Sequence, residues 1–138
     1  MLYVITIIRL FKCGHALDKA IRKVQTLYTC ELFPLKQFRV IHDPGVKEVN
    51  SLYCADLLSW VMVHASANCA WCTVLGNVNS IAVAVTACVS VIILCEGAEF
   101  DKDALLRAEQ NQVFLVRTGL PVFEAAAAIA KKAGFLYK

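Results

Sequence analysis

Ala70-Trp-Cys-Thr-Val-Leu75, Gly76-Asn-Val-Asn79, Ser80-Ile-Ala-Val-Ala-Val-Thr-Ala-Cys88 and Val89-Ser-Val-Ile-Ile-Leu94 follow one another without a break. The first and last pieces are short apolar runs, the last strongly β-branched, and read as buried strands. The middle piece is rich in small residues and tolerates a helix; the Gly/Asn tetrapeptide before it has turn chemistry. Strand, loop, helix, strand in this order is the repeating unit of a parallel sheet.

The same alternation continues downstream. Glu96-Gly-Ala-Glu-Phe100 is a loop, and Asp101 caps a helix running to about Asn111. Val113 to Val116 is a strand, Thr118-Gly119 a loop, and Pro121 stands where a first-turn proline belongs before a last helix from Val122 to Ala133. Three strand-helix units joined by right-handed crossovers give a sheet covered on both faces, in keeping with strands that are continuously apolar.

Upstream, Ala55 to Ala65 reads as a helix with Asp56 near its start, where a carboxylate complements free amides and the dipole. Its apolar residues at 57, 58, 61 and 62 form a stripe, with Trp60 off it. Val46 to Leu52 is extended, His42-Asp-Pro-Gly45 a turn, and Phe38 to Ile41 a short strand. Further back, Leu17 to Leu27 carries a helical stripe and Met1 to Ile8 is β-prone. Residues 1–30 are therefore read as an extension or helix, and 31–138 as one α/β domain.

With 138 residues the chain suits one domain. Hydrophobic residues make up 59% and charged residues 18%, which points to faces buried between subunits and hence to a homodimer. A net charge of +3, without a basic stripe interleaved with aromatics, argues against nucleic acid as partner. The uncharged run from Ser80 to Cys95 is shorter than the ~20 residues of a spanning helix, and Arg9 interrupts the apolar start, so neither a membrane span nor a signal peptide is expected. Seven cysteines, an odd number, inside mostly apolar segments fit reduced thiols in a cytoplasmic protein.

Candidate sites follow from the strand-helix pattern. In open α/β sheets ligands sit outside the carboxyl ends of the strands, where helix amides favour anions. Three loops fall at that edge, and they supply the candidate ligand residues Gly76, Asn77, Asn79, Ser80, Glu96, Gly97, Thr118 and Gly119. Each also has an ordinary reading as a turn or capping residue. Trp60, Met62 and Val63 are candidates for a dimer face, because the helix is apolar nearly all round. Cys69-Ala-Trp-Cys72 has redox-motif spacing, but its second cysteine falls inside a strand and not at a helix N-terminus, so both read as buried thiols. His64 lies near a helix end without an oxyanion hole or third group. No cluster has metal-ligand spacing, no cofactor is expected, and no phosphate-loop or catalytic signature is present.

Taken in order and spacing, several landmarks resemble the DRTGG domain over about Leu32 to Phe135. They are Tyr53-Cys-Ala-Asp-Leu-Leu-Ser-Trp-Val-Met62 with His64-Ala65, Ala70-Trp71, Thr73, and Asn79 followed by Ile81-Ala-Val-Ala84. Ile92-Ile93 before Glu96-Gly-Ala-Glu99, and Ala108-Glu109, complete them. The resemblance implies a three-layer α/β/α fold similar to the N-terminal domain of HPr kinase, a homodimer, and a regulatory or ligand-sensing role without catalysis. The literal Asp-Arg-Thr-Gly-Gly signature is absent. Leu75-Gly-Asn-Val-Asn79 stands in its place, similar to a stand-alone branch whose loop ends in Asn before the helix. An interaction module without a small ligand is the alternative reading.

Overall fold

A computed structural model describes residues 27–135, so the strand expected at Met1 to Ile8 and the helix at Leu17 to Leu27 fall outside the described residues, apart from Leu27 itself. The elements are β1 (Leu27–Tyr28), α1 (Thr29–Leu32), β2 (Phe38–His42), β3 (Glu48–Val49), β4 (Ser51–Cys54), α2 (Leu58–His64) and β5 (Cys69–Thr73). They continue with α3 (Val78–Thr86), β6 (Val91–Leu94), α4 (Lys102–Gln110), β7 (Phe114–Thr118) and α5 (Val122–Ala133). A five-stranded sheet runs in the order β2-β7-β6-β5-β4, and β1 pairs with β3 in a separate two-stranded ladder. Strands β4 to β7 are mutually parallel; β2 lies antiparallel against β7 with a register shift between Val40 and His42.

Two hydrophobic clusters lie on opposite faces of this sheet. One holds Ala70, Cys72, Val91, Ile93 and Val116 against Leu32 of α1 and Ala125, Ile129 and Ala133 of α5. The other holds Cys69, Trp71, Ile92 and Leu115 against Val61 of α2, Ile81 and Ala84 of α3, and Ala104 and Ala108 of α4. The result is a three-layer α/β/α fold with a mostly parallel sheet. Every residue of β5 and β6 is buried, the physical reason those strands read as continuous apolar runs. Each such Ile or Leu withdrawn from water contributes roughly 1.5–3 kcal/mol before entropy is counted.

The strand order is strictly sequential from β4 to β7. Each crossover helix therefore steps in the same direction and, with one hand of crossover, lands on the same face. This explains why α2, α3 and α4 share one layer, and why α5, which follows the last parallel strand, must cover the other. No reversal of strand order occurs among β4 to β7.

Several local expectations shift. Tyr53 and Cys54 belong to β4, and the following helix begins only at Leu58, capped by the extended residue Leu57. Asp56 does not serve that helix's dipole. Its Oδ1 accepts the Thr73 hydroxyl at 2.8 Å and the Val74 N–H at 2.9 Å, tying the β4–α2 connection to the end of β5. The apolar stripe is also narrower than its spacing suggests: Val61 is fully buried, while Leu57 and Met62 stand 62% and 48% exposed. Residues 27–30 are joined to the domain through the β1–β3 ladder and the bond from Thr29 N–H to the Lys47 carbonyl at 2.8 Å.

Candidate functional site

The three loops at the carboxyl ends of β5, β6 and β7 do meet. The Asp101 N–H donates to the Gly76 carbonyl at 2.9 Å, joining the first loop to the second. Glu96 N–H donates to the Leu120 carbonyl at 2.9 Å and Gly97 N–H to the Thr118 carbonyl at 3.0 Å, joining the second to the third. Gly76 is required by this packing: a Cβ there would lie inside contact distance of the Glu99 carbonyl oxygen and 3.0 Å from Leu94 Cδ2. Glu96 holds φ at 60°, a left-handed conformation uncommon for a side chain other than Gly or Asn.

Most of the expected ligand residues are engaged in holding these loops. Asn77 caps α3 by accepting from the Ser80 N–H at 3.1 Å, and Ser80 is fully buried with its hydroxyl 3.3 Å from the same Asn77 oxygen. Asn79 lies within the first turn of α3 and not in the loop before it, and its side chain is exposed. The Glu96 carboxylate accepts from Val122 N–H at 3.2 Å, at the start of α5 where a negative charge is favourable. Thr118 is buried; its hydroxyl donates to the Gln37 carbonyl at 2.7 Å and accepts from Leu120 N–H at 3.2 Å. Gly97 and Gly119 remain exposed, with open space where a Cβ would stand. The loops after β6 and β7 leave adjacent strands for helices on opposite faces of the sheet, the arrangement at which a crevice opens in many α/β folds. Here the backbone bonds from Glu96 and Gly97 to Leu120 and Thr118 staple those two loops together.

Arg117, next to the carboxyl end of strand β7, adds a charge that no sequence pattern marked. Its guanidinium donates to the Ala98 carbonyl at 2.7 Å and the Gly97 carbonyl at 2.6 Å, and pairs with Glu99 at 3.1 Å. The Glu99 side chain is 79% exposed, so this pair is solvent-screened and exchangeable.

The opposite edge of the sheet carries a cleft of about 380 Å³ lined by Lys47, Asn68, Cys88, Ser90, Asn111 and Val113 among others. That volume lies at the small end of ligand pockets. Asn68, Cys88 and Gln112, which precede β5, β6 and β7 at this edge, all hold left-handed φ values of 54° to 60°. At Cys88 and Gln112 the reversal closes a helix end: the following residue's N–H bonds back to Ala84 or Ala108. The signal was the short helix-to-strand connection, too common to read as a site.

On the solvent side of α2, Trp60 is 54% and Val63 75% exposed, and Trp60 stacks on His64 with ring centroids 4.0 Å apart. His64 Nδ1 lies 3.0 Å from the Trp60 carbonyl, so this histidine is a local partner of its own helix. Trp60, Met62 and Val63 thus share an outward apolar surface, while Val61 alone of that run is buried.

The cysteines are arranged differently from their spacing in the chain. Cys69 and Cys72 are both fully buried but pack into clusters on opposite faces of the sheet, so they do not face each other. Burial pushes the Cys69 thiol up to about 11. Cys72 instead stands between Cys54 and Cys95 and shares hydrogen bonds with both; these bonds, with burial, hold its own thiol well above the usual range. The same bonds lower the thiols of Cys54 and Cys95, outweighing burial and the nearby Asp56 and Glu96 carboxylates respectively. Among the described residues no group of His, Cys, Asp and Glu is placed to hold a metal ion. No helix among them is long and apolar enough to cross a membrane.

No protein-family model matches the chain, and no curated protein sequence matches it. Among solved structures the chain is similar to the CBS and DRTGG domains of the regulatory region of Clostridium perfringens pyrophosphatase, crystallised with its activator diadenosine tetraphosphate. The likeness has a TM-score of 0.58 at 15% identity and covers 70% of this chain. It spans 43% of the length of that chain. At this identity the likeness establishes a shared fold.

Proposed function

We propose that this chain is a non-catalytic regulatory domain that senses a small anionic or nucleotide-type ligand and works as a homodimer. The observation that carries the reading is the fold shared with a regulatory region crystallised with a dinucleotide activator. The carboxyl edge of the sheet supports it with Arg117, whose carboxylate partner is largely in solvent, beside exposed Gly97 and Gly119. A ligand phosphate would take the place of Glu99 on the guanidinium, where a planar fork binds oxyanions with charge-assisted hydrogen bonds. The engaged residues Asn77, Ser80, Glu96 and Thr118 then act by holding the loops, and Gly76 by letting two of them touch.

A thermal-shift screen with nucleotides and phosphorylated metabolites tests the proposal. A ligand that binds the folded state raises the melting temperature progressively with concentration. Glu99→Gln removes the competing carboxylate and should enlarge the shift, and Arg117→Ala should abolish it. A flat panel for all three proteins defeats the sensing reading. A shift insensitive to both substitutions but lost on narrowing the opposite cleft with Asn111→Trp moves the site to the other edge.

The outward face of α2 favours a second reading, a protein-protein module without a small ligand. Exposed Leu57, Trp60, Met62 and Val63 on one short helix are what an apolar interface core requires. Trp60→Glu should yield monomers by light scattering; a variant that stays dimeric removes α2 from the interface.

A further inference from the structure

We propose that Cys54 and Cys72 form a peroxide-responsive dithiol site at the edge of the central sheet, in which Cys54 takes the oxidant and Cys72 resolves it to a cross-strand disulfide. Cys54 and Cys72 are direct register partners on the parallel strands β4 and β5. Adjacent strands lie about 4.8 Å apart, inside the Cα separations that disulfides span. Both thiols project to the same face. Leu52, two residues before Cys54, and Ala70, two before Cys72, are themselves register partners and pack into one cluster with Cys72 and Cys95.

The two thiols differ in the way such chemistry needs. Among the described residues strand β4 is the edge strand of the sheet and Cys54 is exposed, so a small oxidant reaches it from solvent. Cys72 is fully buried in the adjacent strand, shielded from direct attack. A hydrogen bond from the Cys72 thiol favours the thiolate of Cys54, the form that reacts with peroxides. The Cys54 thiolate attacks one oxygen of hydrogen peroxide, the O–O bond breaks, and hydroxide leaves to be protonated as water. Cys54 is then a sulfenic acid. Cys72 gives up its proton and attacks the Cys54 sulfur; the S–O bond breaks, a second water departs, and the disulfide forms. Two thiols supply the two electrons that reduce one peroxide to two waters. Parallel neighbours hold their Cβ atoms somewhat farther apart than the ~3.8 Å mean of disulfides, so closing the bond pinches the strands and leaves it readily reduced by dithiols.

The test is oxidation of the reduced full chain with one equivalent of hydrogen peroxide, followed by alkylation, intact mass and chymotryptic mapping. The expected product has lost two hydrogens and links the peptide containing Cys54 to that containing Cys72; dithiothreitol reverses it. In Cys72→Ala the reaction should stop at a Cys54 sulfenic acid trapped by dimedone. Cys88→Ala, which removes another exposed thiol, should still form the link. A product in which Cys54 carries added oxygen while Cys72 remains alkylatable, or a disulfide joining other cysteines, overturns the proposal. The wild-type map decides this even if Cys72→Ala folds poorly.

Discussion

Replacing Gly76 by Ala tests whether the loops at the carboxyl edge form one packed unit. The added Cβ would meet the backbone of Glu99 and, at 3.0 Å, Leu94 Cδ2. Glu99 cannot retreat freely, because its loop is held by bonds from Gly97 to Thr118, from Asp101 to Gly76 and from Arg117 to Ala98. Overpacking against fixed backbone costs roughly 1–3 kcal/mol. Moving the loop also strains or breaks the Asp101–Gly76 hydrogen bond, worth about 1 kcal/mol. Stiffening the unfolded chain gives back about 0.4–1 kcal/mol. The net loss is about 1–3.5 kcal/mol. In urea this lowers the unfolding midpoint by on the order of 1 M at unchanged slope. Gly119→Ala is the control: its Cβ would enter open space, so its stability should stay within about 0.5 kcal/mol of wild type. Equal stability of the two variants would refute the stapled-loop account.

Trp71→Phe removes the indole N–H that donates to the Ala55 carbonyl at 2.9 Å and leaves space in a fully buried site, so it should cost about 2–4 kcal/mol in the same denaturation assay. Asp56→Ala should destabilise by about 1–2 kcal/mol through loss of the Thr73 and Val74 bonds, while Asp56→Asn, which keeps an acceptor oxygen, recovers part of it. Both should leave the helical circular-dichroism signal of the folded state unchanged. The Cys69 thiol, raised by burial to about 11 against 9.0 when free, stays protonated in the folded chain after the unfolded chain has ionised. The folded state then binds the extra proton, so this thiol's contribution to stability is full below pH 9, falls as pH rises, and is gone above about 11. Wild type should lose stability relative to Cys69→Ala across that window in denaturation curves taken at several pH values.

The alternation of apolar strands and helices from Ala70 to Ala133 was legible because it depends on local residue choice. β-branched runs resist helix, glycine and asparagine permit turns, and Pro121 suits a helix start. It also determined the layers, since strands apolar on both faces need cover on both. The strand read as ending at Leu52 runs on to Cys54 and the helix read from Ala55 begins only at Leu58, because Tyr53 and Cys54 pair with Trp71 and Cys72, contacts distant in sequence. The candidate loops lay at the edge expected, yet only tertiary structure decided that their polar groups hold one another. That outcome follows from backbone bonds between the loops, from Asp101 to Gly76, Glu96 to Leu120 and Gly97 to Thr118. Arg117 gained its role from the carbonyls of Gly97 and Ala98, on a loop that folds back onto it. The thiols show the division most clearly. Chain spacing paired Cys69 with Cys72, but a strand's two-residue period sends that pair to opposite faces, and register alone sets Cys72 beside Cys54.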